Sequence, residues 1–338
     1  MTRFLILRPK GSYGRGARGA NLQRFLRIFH GRRAVELISV KDLEQGPRRE
    51  AEILFIGVPT PLAPHHLDRL RFRQAALFDY ADRAGPDWQE SDQPLLRDVT
   101  RRYLKTSVEP GWDSDLRWGV LPIRRHRRLA WQIGVLRGLF PGRYPNLRQR
   151  DHDVSFLGNA TAYYGTHGED RYAQRVEWLA ELHAVRERIS FWGGLQAPAH
   201  DQARLLERHG DIRHLFHRGG RVPFLAFFQH LLRSKIVLTP TGNARWTYRQ
   251  YEAIYAGALP VSTDFRMIRT LIPLPLDGMI HVADREPLIP AIERGLELLG
   301  ARPDLPRQSI AFLERFLDRG DYSPTRPALM DTFLGQFG

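Results

Sequence analysis

The chain of 338 residues contains no cysteine. This absence excludes disulfide bonds, thiolate metal sites and a cysteine nucleophile, and it leaves the cellular compartment open. No apolar run approaches the ~18 residues that cross a bilayer, and residues 4–7 are too few for the core of a signal peptide. Low-complexity tracts are also absent. We therefore expect a globular cytoplasmic protein.

Lysine is scarce, since only four of the basic residues are lysine and the rest are arginine. Residues 1–150 hold 29 Lys+Arg against 15 Asp+Glu, whereas residues 151–338 hold 22 of each, so the first half carries the entire net charge of +14. A basic half beside a neutral one predicts an anionic partner for the first half: a membrane surface, an acidic glycan, a lipid-linked acceptor or nucleic acid. A basic face that merely meets solvent is the alternative.

Strand and helix patterns alternate along the chain, which predicts parallel sheets. The length suffices for two domains, each with its own core. We expect a strongly basic Rossmann-like domain over residues 1–145 and a second Rossmann-like domain over residues 151–305. Helical patterns follow over residues 306–338.

Local patterns predict several elements inside these domains. A helix is expected around residues 66–74, followed by a strand over residues 75–82. In the second domain we expect a strand over residues 189–192 that Gly193 and Gly194 bring to an end.

The segment from Ser234 to Val261 carries the strongest functional signal. Residues 236–238 form a short apolar run of the kind found in strands buried on both faces, and Pro240 with Gly242 ends the run. A helix pattern and a second strand follow. A helix N-terminus is therefore expected at the carboxyl end of a sheet, which is a suitable place for an anion.

The helix in this segment has recognisable start and stop signals. Thr247 is a suitable capping residue, and Gln250 three residues later completes a capping box. Gly257 stands where a glycine commonly ends a helix. These signals predict a helix over residues 248–256.

Arg249 and Glu252 lie three residues apart and share one face of that helix. A guanidinium there is able to bind a diphosphate in bidentate fashion, and a carboxylate one turn later is able to accept hydrogen bonds from ribose hydroxyls. A solvated ion pair is the alternative for any Arg-Glu pair at this spacing. The preceding loop and the following small-residue strand favour the binding site.

One ordered set of residues runs through the segment: Ser234, Pro240, Gly242, Thr247, Arg249, Glu252, Ala253, Gly257, Pro260 and Val261. This order resembles the donor-site segment of exostosin-like glycosyltransferases. Residues 153–159 are similar to the strand that opens the same domain in that family. Together the two matches span residues 150–300, and the first half of the chain matches only in its general order of elements.

The resemblance implies an α/β protein of the GT-B type, in which two Rossmann-like domains have parallel sheets facing a central cleft. It implies transfer of a sugar, as in hexosyl transfer, from a nucleotide diphosphate to an acceptor hydroxyl by an inverting mechanism, with a UDP-sugar as the expected donor. The second domain is then expected to bind the nucleotide-sugar donor, and the first domain, over residues 1–145, is expected on the acceptor side. The positive charge of the first domain favours an acceptor that is an anionic glycan or a lipid-linked glycan at the inner face of the membrane. The helices of residues 306–338 are expected to pack back across the domain junction.

The residues of the segment take roles in this scheme. Arg249 is expected to bind the diphosphate and to stabilise its charge as the glycosidic bond breaks. Glu252 is expected to hold the ribose, while the Gly242 loop and Thr247 offer hydrogen-bond donors. Arg245 is a candidate for a second phosphate contact.

Inverting transfer requires a general base, which is expected in the first domain. The strand predicted over residues 75–82 ends in two acidic residues, Asp79 and Asp82, and ligands gather at the carboxyl ends of strands in open α/β sheets. Asp82 is the candidate base. An aspartate that stabilises a turn is the more common reason for such a residue.

Few residues suggest a metal. Two Asp-x-Asp triplets occur, at residues 113–115 and 151–153, but the first lies in a turn-like segment and the second begins a strand. The pair His65-His66 lacks further ligands for zinc. We therefore expect a site that needs no metal and no cofactor, in which arginines and helix dipoles neutralise the diphosphate.

Two other functions remain open at this stage. Gly14, Gly16 and Gly19 match the dinucleotide fingerprint, and Asp42 follows at about the right distance for a ribose contact, which would suit an NAD(P)-dependent oxidoreductase. A lone match of this kind is weak. A nucleic-acid-binding protein built on a catalytically silent glycosyltransferase fold is the second alternative, although the common nucleic-acid-binding signatures are missing.

Overall fold

A computed structural model describes residues 2–8, 16–60, 62–81, 85, 93–113, 115–123, 150–160, 172–220, 222–242, 244–318, 321–322 and 327–338. The chain divides into two units by its internal contacts. The N-terminal unit comprises Met1–His126, Met267–Pro273 and Phe316–Gly338, and the C-terminal unit comprises Arg127–Arg266 and Leu274–Arg315. The last segment of the chain therefore belongs to the N-terminal unit.

The described strands and helices alternate along most of the chain. The strands are β1 (Thr2–Leu7), β2 (Val35–Ile38), β3 (Arg49–Gly57), β4 (Leu70–Asp79), β5 (Arg102–Lys105), β6 (Ser107–Val108), β7 (Arg117–Val120), β8 (His152–Asn159), β9 (Phe191–Gln196), β10 (Ser234–Thr239), β11 (Leu259–Thr263), β12 (Arg269–Thr270), β13 (Ile280–Val282), β14 (Leu317–Asp318) and β15 (Asp321–Tyr322). The helices are α1 (Gly16–His30), α2 (Val40–Gln45), α3 (Pro64–Leu67), α4 (Gln93–Val99), α5 (Ala173–Ala184), α6 (Ala199–His209), α7 (Phe224–Leu232), α8 (Arg249–Tyr255), α9 (Leu288–Ala301), α10 (Leu305–Glu314) and α11 (Pro327–Gly335).

The N-terminal unit contains a six-stranded sheet in the order β2-β1-β3-β4-β5-β7, and every neighbouring pair is parallel. The central strands are continuous apolar runs because helices cover both faces of such sheets. Residues 4–7 of β1 are at most 1% exposed. Burial of these side chains is the main source of this unit's stability.

Helix α11 closes one face of this sheet through aromatic side chains. Phe333 lies 5.3 Å from the ring of Phe25 in α1 and 6.1 Å from that of Phe55 in β3. Just beyond the helix, the Phe337 ring lies 5.5 Å from that of Phe55. Aromatic pairs at these separations contribute ~0.5–1.5 kcal/mol beyond the burial of their area. They anchor the chain's last segment in the N-terminal unit.

One predicted element of this unit is wrong. The helix expected around residues 66–74 ends at Leu67, and β4 already begins at Leu70. Leu70 is buried while Arg71 and Arg73 are exposed, and Leu70 lies opposite Arg49 of β3. The pairing with β3 overrides the local pattern, because a strand edge beside β3 supplies hydrogen bonds that an isolated short helix lacks.

The C-terminal unit contains a five-stranded parallel sheet in the order β13-β11-β10-β8-β9. Counted along the chain within this unit, the order is 2-1-3-4-5, which is a common doubly wound arrangement. The chain moves outward from β8 to β9 and then returns to the other side of β8 as β10. The topological switch point, where ligands usually bind in such folds, therefore lies between β8 and β10.

The glycine pair expected to end a strand lies inside β9 instead. Gly193 has a φ of 125° and Gly194 a φ of 140°. A Cβ atom on Gly193 would lie 1.7 Å from the carbonyl oxygen of Phe156 in β8, and one on Gly194 would lie 2.7 Å from the carbonyl oxygen of Leu215. The glycines are thus required for the close approach of β9 to its neighbours, which a reading of glycine as a strand terminator does not foresee.

A cluster of aromatic and histidine rings lies where α7 packs against β8 and β9. The imidazole of His230 stacks on the indole of Trp192 at 3.7 Å, His152 lies 6.1 Å from His230, and His217 lies 5.6 Å from Trp192. Burial, with the charges of Arg233, His152 and His217, lowers the pKa of His230 from 6.5 to about 4. Protonation of His230 is therefore less favourable in the folded protein than in the unfolded chain.

No helix among the described residues is sufficiently long and apolar to cross a membrane.

Replacement of Gly193 by alanine should lower the free energy of unfolding by ~3 kcal/mol or more, because the new Cβ atom separates β9 from β8 and the residue keeps a positive φ. Gly220→Ala is the matched control, since Gly220 also has a positive φ, of 64°, but has open space around it. The control should lose only ~1–2 kcal/mol. Urea unfolding followed by circular dichroism measures both, and equal losses would contradict the close-approach argument.

The free energy of unfolding should fall as the pH is lowered from 6.5 towards 4, because the unfolded chain binds a proton at His230 before the folded protein does. His230→Phe keeps a ring against Trp192 and removes the titrating group. Urea titrations between pH 7 and pH 4 should therefore give a shallower loss for this variant. An identical pH dependence in both proteins would show that His230 is not responsible.

Candidate functional site

Two arginines meet at the carboxyl edge of the C-terminal sheet, at its switch point. Arg175 lies in the first turn of α5, which follows β8, and Arg249 begins α8, which follows β10. The guanidinium carbons of Arg249 and Arg175 lie 5.2 Å and 5.9 Å from the centre of the same ring, that of Phe156 in β8. The fold thus brings together two cations that are 74 residues apart in the sequence.

Arg249 has an unusual environment for a charged side chain. Its guanidinium lies between two aromatic rings, those of Phe156 at 5.2 Å and Phe227 at 5.3 Å. The Nη1 atom is buried and has no hydrogen-bond partner among the described residues. An unsatisfied buried donor on a charged group costs free energy unless a ligand supplies the acceptor. Arg249 therefore has a buried donor for which no described residue supplies an acceptor.

Arg175 was not identified from the sequence, yet it is the arginine beside Arg249. Its Nε atom donates to the carbonyl oxygen of Thr241 at 3.0 Å, its Nη1 atom donates to that of Asn159, and it packs over the Tyr172 ring at 4.7 Å. These contacts hold the side chain against the ends of β8 and β10. Arg175 lies in the first turn of the helix that follows the first strand of this unit, and that position is the sequence signal that points to it.

The two guanidinium groups affect each other. Burial lowers the pKa of Arg249, and the nearby carboxylate of Glu252 opposes this shift. Burial also lowers the pKa of Arg175, and the positive charge of Arg249 lowers it further. Arginine remains charged at neutral pH despite such shifts. Within the described ranges neither guanidinium forms an ion pair, so two half-buried cations lie near one another without a carboxylate bound to either.

The loop after β10 closes around these side chains. A Cβ atom on Gly242 would lie 2.7 Å from Nη2 of Arg175, so the guanidinium would have to shift if this residue carried a side chain. The amide of Thr241 donates to Gln174 Oε1 at 2.8 Å and to Thr263 Oγ1 at 3.0 Å, while the amide of Gly242 donates to Ala244 at 3.1 Å. The predicted Gly242 loop therefore lies beside Arg175, and its position is determined by hydrogen bonds to neighbouring elements.

Helix α8 begins and ends close to the predicted positions. Thr247 Oγ1 accepts from the amide of Arg249 at 3.3 Å, and Gln250 Oε1 accepts from the amide of Thr247 at 3.0 Å. These bonds satisfy donors at the start of the helix. Gly257 has a φ of 67° and donates to the carbonyl oxygen of Ile254 at 2.8 Å, as in a glycine-terminated helix. The helix places Glu252 one turn after Arg249.

Arg245 is engaged elsewhere. Its Nη1 and Nη2 atoms donate to the two carboxylate oxygens of Asp284 at 3.0 Å and 2.6 Å, and Nη1 lies 3.4 Å from the carbonyl oxygen of Asp264. This bidentate pair ties the loop after β10 to the loop after β13. The role of Arg245 as a second phosphate contact stays a prediction, and Arg175 is the arginine that lies next to Arg249.

The candidate general base, Asp82, lies outside the described residues. Its neighbour Asp79 is fully buried at the end of β4, where it accepts from Lys105 Nζ at 2.7 Å and from the amide of Ala81 at 2.5 Å. Lys105 also donates to the carbonyl oxygen of Ala81 at 3.2 Å. A carboxylate with these partners stabilises the turn after β4.

Asp42, the acidic residue of the possible dinucleotide-binding motif, takes part in a helix cap. Asp42 lies in the first turn of α2, where its carboxylate accepts from both the amide and the hydroxyl of Ser39 at 2.7 Å in a capping box. These hydrogen bonds lower the pKa of Asp42. Gly14 lies outside the described residues, Gly16 begins α1, and Gly19 packs against Leu37, where a Cβ atom would lie 2.9 Å from a methyl group. Helix capping and packing explain the described part of this pattern.

The carboxylate triplets bind basic side chains. Asp113 and Asp115 both contact Arg97, at 2.6 Å and 3.2 Å. In the second triplet, Asp153 contacts Lys235 at 2.7 Å, while Asp151 pairs with Arg233. Cations of the protein itself therefore occupy these carboxylates.

Glu44 lies beside the pair His65-His66 in the structure. One of its carboxylate oxygens lies 2.9 Å from Nε2 of His66, and His65 lies nearby. His66 Nδ1 accepts from the amide of Ala63 at 2.8 Å. A neutral imidazole that accepts at Nδ1 carries its proton on Nε2, which then donates to Glu44. Both nitrogens of His66 are thus used within the protein.

Comparison with other proteins identifies the fold. No model of a known protein family matches the sequence, and no curated protein does. Solved structures that resemble nearly the whole chain include a glycosyltransferase from Rickettsia africae (TM-score 0.54, 11% identity, 99% of this chain and 98% of that one), an alpha,alpha-trehalose-phosphate synthase (UDP-forming) from Burkholderia vietnamiensis (0.53, 11%, 99% and 99%), and Anabaena HepE in complex with UDP-glucose (0.52, 13%, 98% and 99%). At these identities the likeness concerns the fold. The prediction of a GT-B fold with two Rossmann-like domains and parallel sheets is confirmed.

Arg249→Met should leave the free energy of unfolding of the ligand-free protein unchanged or raise it by ~1 kcal/mol, because it removes a half-buried cation whose buried Nη1 atom has no acceptor among the described residues. Arg150→Met is the control. Arg150 is buried, and its guanidinium donates to the carbonyl oxygens of Leu231 in α7, Ser234 at the start of β10 and Ala256 just after α8. The control should lose ~2–3 kcal/mol. A comparable loss in Arg249→Met, measured by urea unfolding, would mean that Arg249 serves stability.

Proposed function

We propose that the C-terminal unit binds the diphosphate of a nucleotide sugar and that the protein is a glycosyltransferase, which transfers the sugar to an acceptor hydroxyl. The observation that carries this proposal is the pair Arg249 and Arg175 at the switch point, with a buried donor of Arg249 that lacks a partner. A diphosphate carries at least two negative charges and many acceptor oxygens. It therefore satisfies both guanidinium groups and removes their mutual repulsion.

The same arrangement assists the chemistry. When the bond between the sugar and the diphosphate breaks, negative charge develops on the leaving phosphate oxygen. Two cations already held in place stabilise that charge without reorganisation, and their burial in a low-dielectric environment strengthens the effect. Arg249 and Arg175 are thus the catalytic cations of the proposal.

Other residues complete the donor site. Glu252 accepts hydrogen bonds from the ribose hydroxyls, and the Gly242 loop with Thr247 contributes donors to the phosphates. We assign to Arg245 a supporting part, because its pair with Asp284 determines where the Gly242 loop lies. The donor is a UDP-sugar, a choice supported by the fold shared with HepE, whose structure holds UDP-glucose, and with a UDP-forming synthase.

The finer features of the proposal follow from the residue pattern of residues 234–261. They are membership of the exostosin-like family and an inverting transfer that needs no metal, since the two arginines neutralise the diphosphate. Asp82 is proposed as the general base. The excess of basic residues in the first half of the chain supports an acceptor that is an anionic or lipid-linked glycan at the inner membrane face.

A donor screen tests the function. Release of nucleoside diphosphate is measured with UDP-, GDP- and TDP-sugars, in the presence of candidate acceptors or of water alone. We expect turnover with a UDP-sugar, and we expect Arg249→Ala and Arg175→Ala each to lower kcat/KM by about 100-fold, which corresponds to ~2.7 kcal/mol of transition-state stabilisation. Arg233→Ala is the matched control because Arg233 pairs with Asp151 outside the site, and it should keep full activity.

Ligand binding gives a second test, and some of its results would contradict the proposed function. UDP at ~100 times its Kd should stabilise the folded protein by about 2.7 kcal/mol in a thermal unfolding assay. Stabilisation by NADH and by no nucleoside diphosphate would overturn the proposal. Binding of nucleic acid by a protein that neither binds UDP nor releases it from any donor would overturn it as well.

A further inference from the structure

Within the part of the chain that the structure describes, Phe156 is the one aromatic side chain that lies near both arginines of the donor site. It lies in β8, is 1% exposed, and its ring faces the guanidinium carbons of Arg249 at 5.2 Å and of Arg175 at 5.9 Å. The face of an aromatic ring carries negative electrostatic potential and attracts cations within about 6 Å. The ring therefore attracts two groups that repel each other.

The position of this ring depends on a missing side chain. Phe156 and Gly158 point to the same face of β8, because side chains alternate along a strand. A Cβ atom on Gly158 would lie 2.5 Å from Cζ of Phe156 and 3.1 Å from Cε2. The ring therefore lies along the strand, over Gly158, towards the carboxyl edge where the arginines are. On the neighbouring strand, Gly193 lets the backbone of β9 approach the carbonyl of Phe156.

Other groups hold each arginine separately. Arg175 is held by the carbonyl oxygens of Thr241 and Asn159, and Arg249 packs against Phe227 at 5.3 Å. Only the Phe156 ring contacts both guanidinium groups among these neighbours. Loss of its attraction should allow the like charges to move apart while each side chain keeps its own contacts.

We propose that Phe156 is a positioning residue of the donor site, whose ring holds the guanidinium groups of Arg175 and Arg249 at the separation that one diphosphate bridges. The inference rests on the proposed function and adds to it the element that organises the two cations. It assigns to Gly158 the accompanying role of leaving the ring its place. Phe156 itself does not touch the reacting atoms.

Fluorinated phenylalanines at position 156 test the electrostatic role without removing the ring. Each added fluorine reduces the negative potential of the ring face and changes its shape little. The Kd for UDP, measured by calorimetry on the full chain, should rise stepwise from phenylalanine through the monofluoro to the trifluoro ring and reach about ten-fold, equivalent to ~1.4 kcal/mol. The Kd for UMP should rise less, because one phosphate does not bridge both arginines, and Tm without ligand should stay constant.

The same series at Phe228 is the matched control. Phe228 is fully buried in α7 of the same unit, and its ring stacks on Phe224 at 5.9 Å rather than on a guanidinium. Its fluorination should leave both Kd values unchanged.

Two results separate failure of this inference from failure of the proposed function. If Arg249→Ala and Arg175→Ala weaken UDP binding but the fluorinated series at Phe156 leaves Kd unchanged, the donor site stands and the positioning role is wrong. The same conclusion follows if Kd and Tm change in parallel, since a purely structural ring would give that result. If neither arginine variant affects UDP binding, the donor site itself is wrong, and the inference falls with it.

Discussion

Two like charges held together inside a protein require compensation, and this requirement shapes the C-terminal unit. Arg175 and Arg249 come from different helices, and neither forms an ion pair among the described residues. Aromatic faces, two backbone carbonyls and the more distant charge of Glu252 offset the cost of burying them. Such partial compensation leaves the pair suited to a dianion, whereas a bound carboxylate would have neutralised it.

Glycines make this arrangement sterically possible at three places. Gly242 leaves room for the guanidinium of Arg175, Gly158 leaves room for the Phe156 ring, and Gly193 lets β9 approach the backbone of β8. At each of these three positions, an added Cβ atom would lie closer to a neighbouring atom than ordinary van der Waals contact allows. The absence of side chains at these positions therefore determines where the charged and aromatic groups lie.

Much of the fold was predictable because it depends on local signals. Buried strands read as short apolar runs, and the start and stop signals of α8, Thr247 and Gly257, place its ends within one residue of those observed. Pairing with a neighbouring strand made two of the local predictions wrong. Leu70 pairs with β3 rather than continuing a helix, and Gly193 continues a strand rather than ending it, because in both cases the neighbouring strand decides.

The sequence by itself determined the fold class, the segment that forms the carboxyl edge of the second sheet, and the place of Arg249 at the start of its helix. These follow from patterns within a few residues of each other. Only the tertiary structure decided which second arginine lies beside Arg249. Arg175 and Arg249 follow β8 and β10, and these two strands are neighbours in the sheet. Arg245 instead pairs with Asp284. The spacing of residues along the chain does not show which distant side chains the fold brings together.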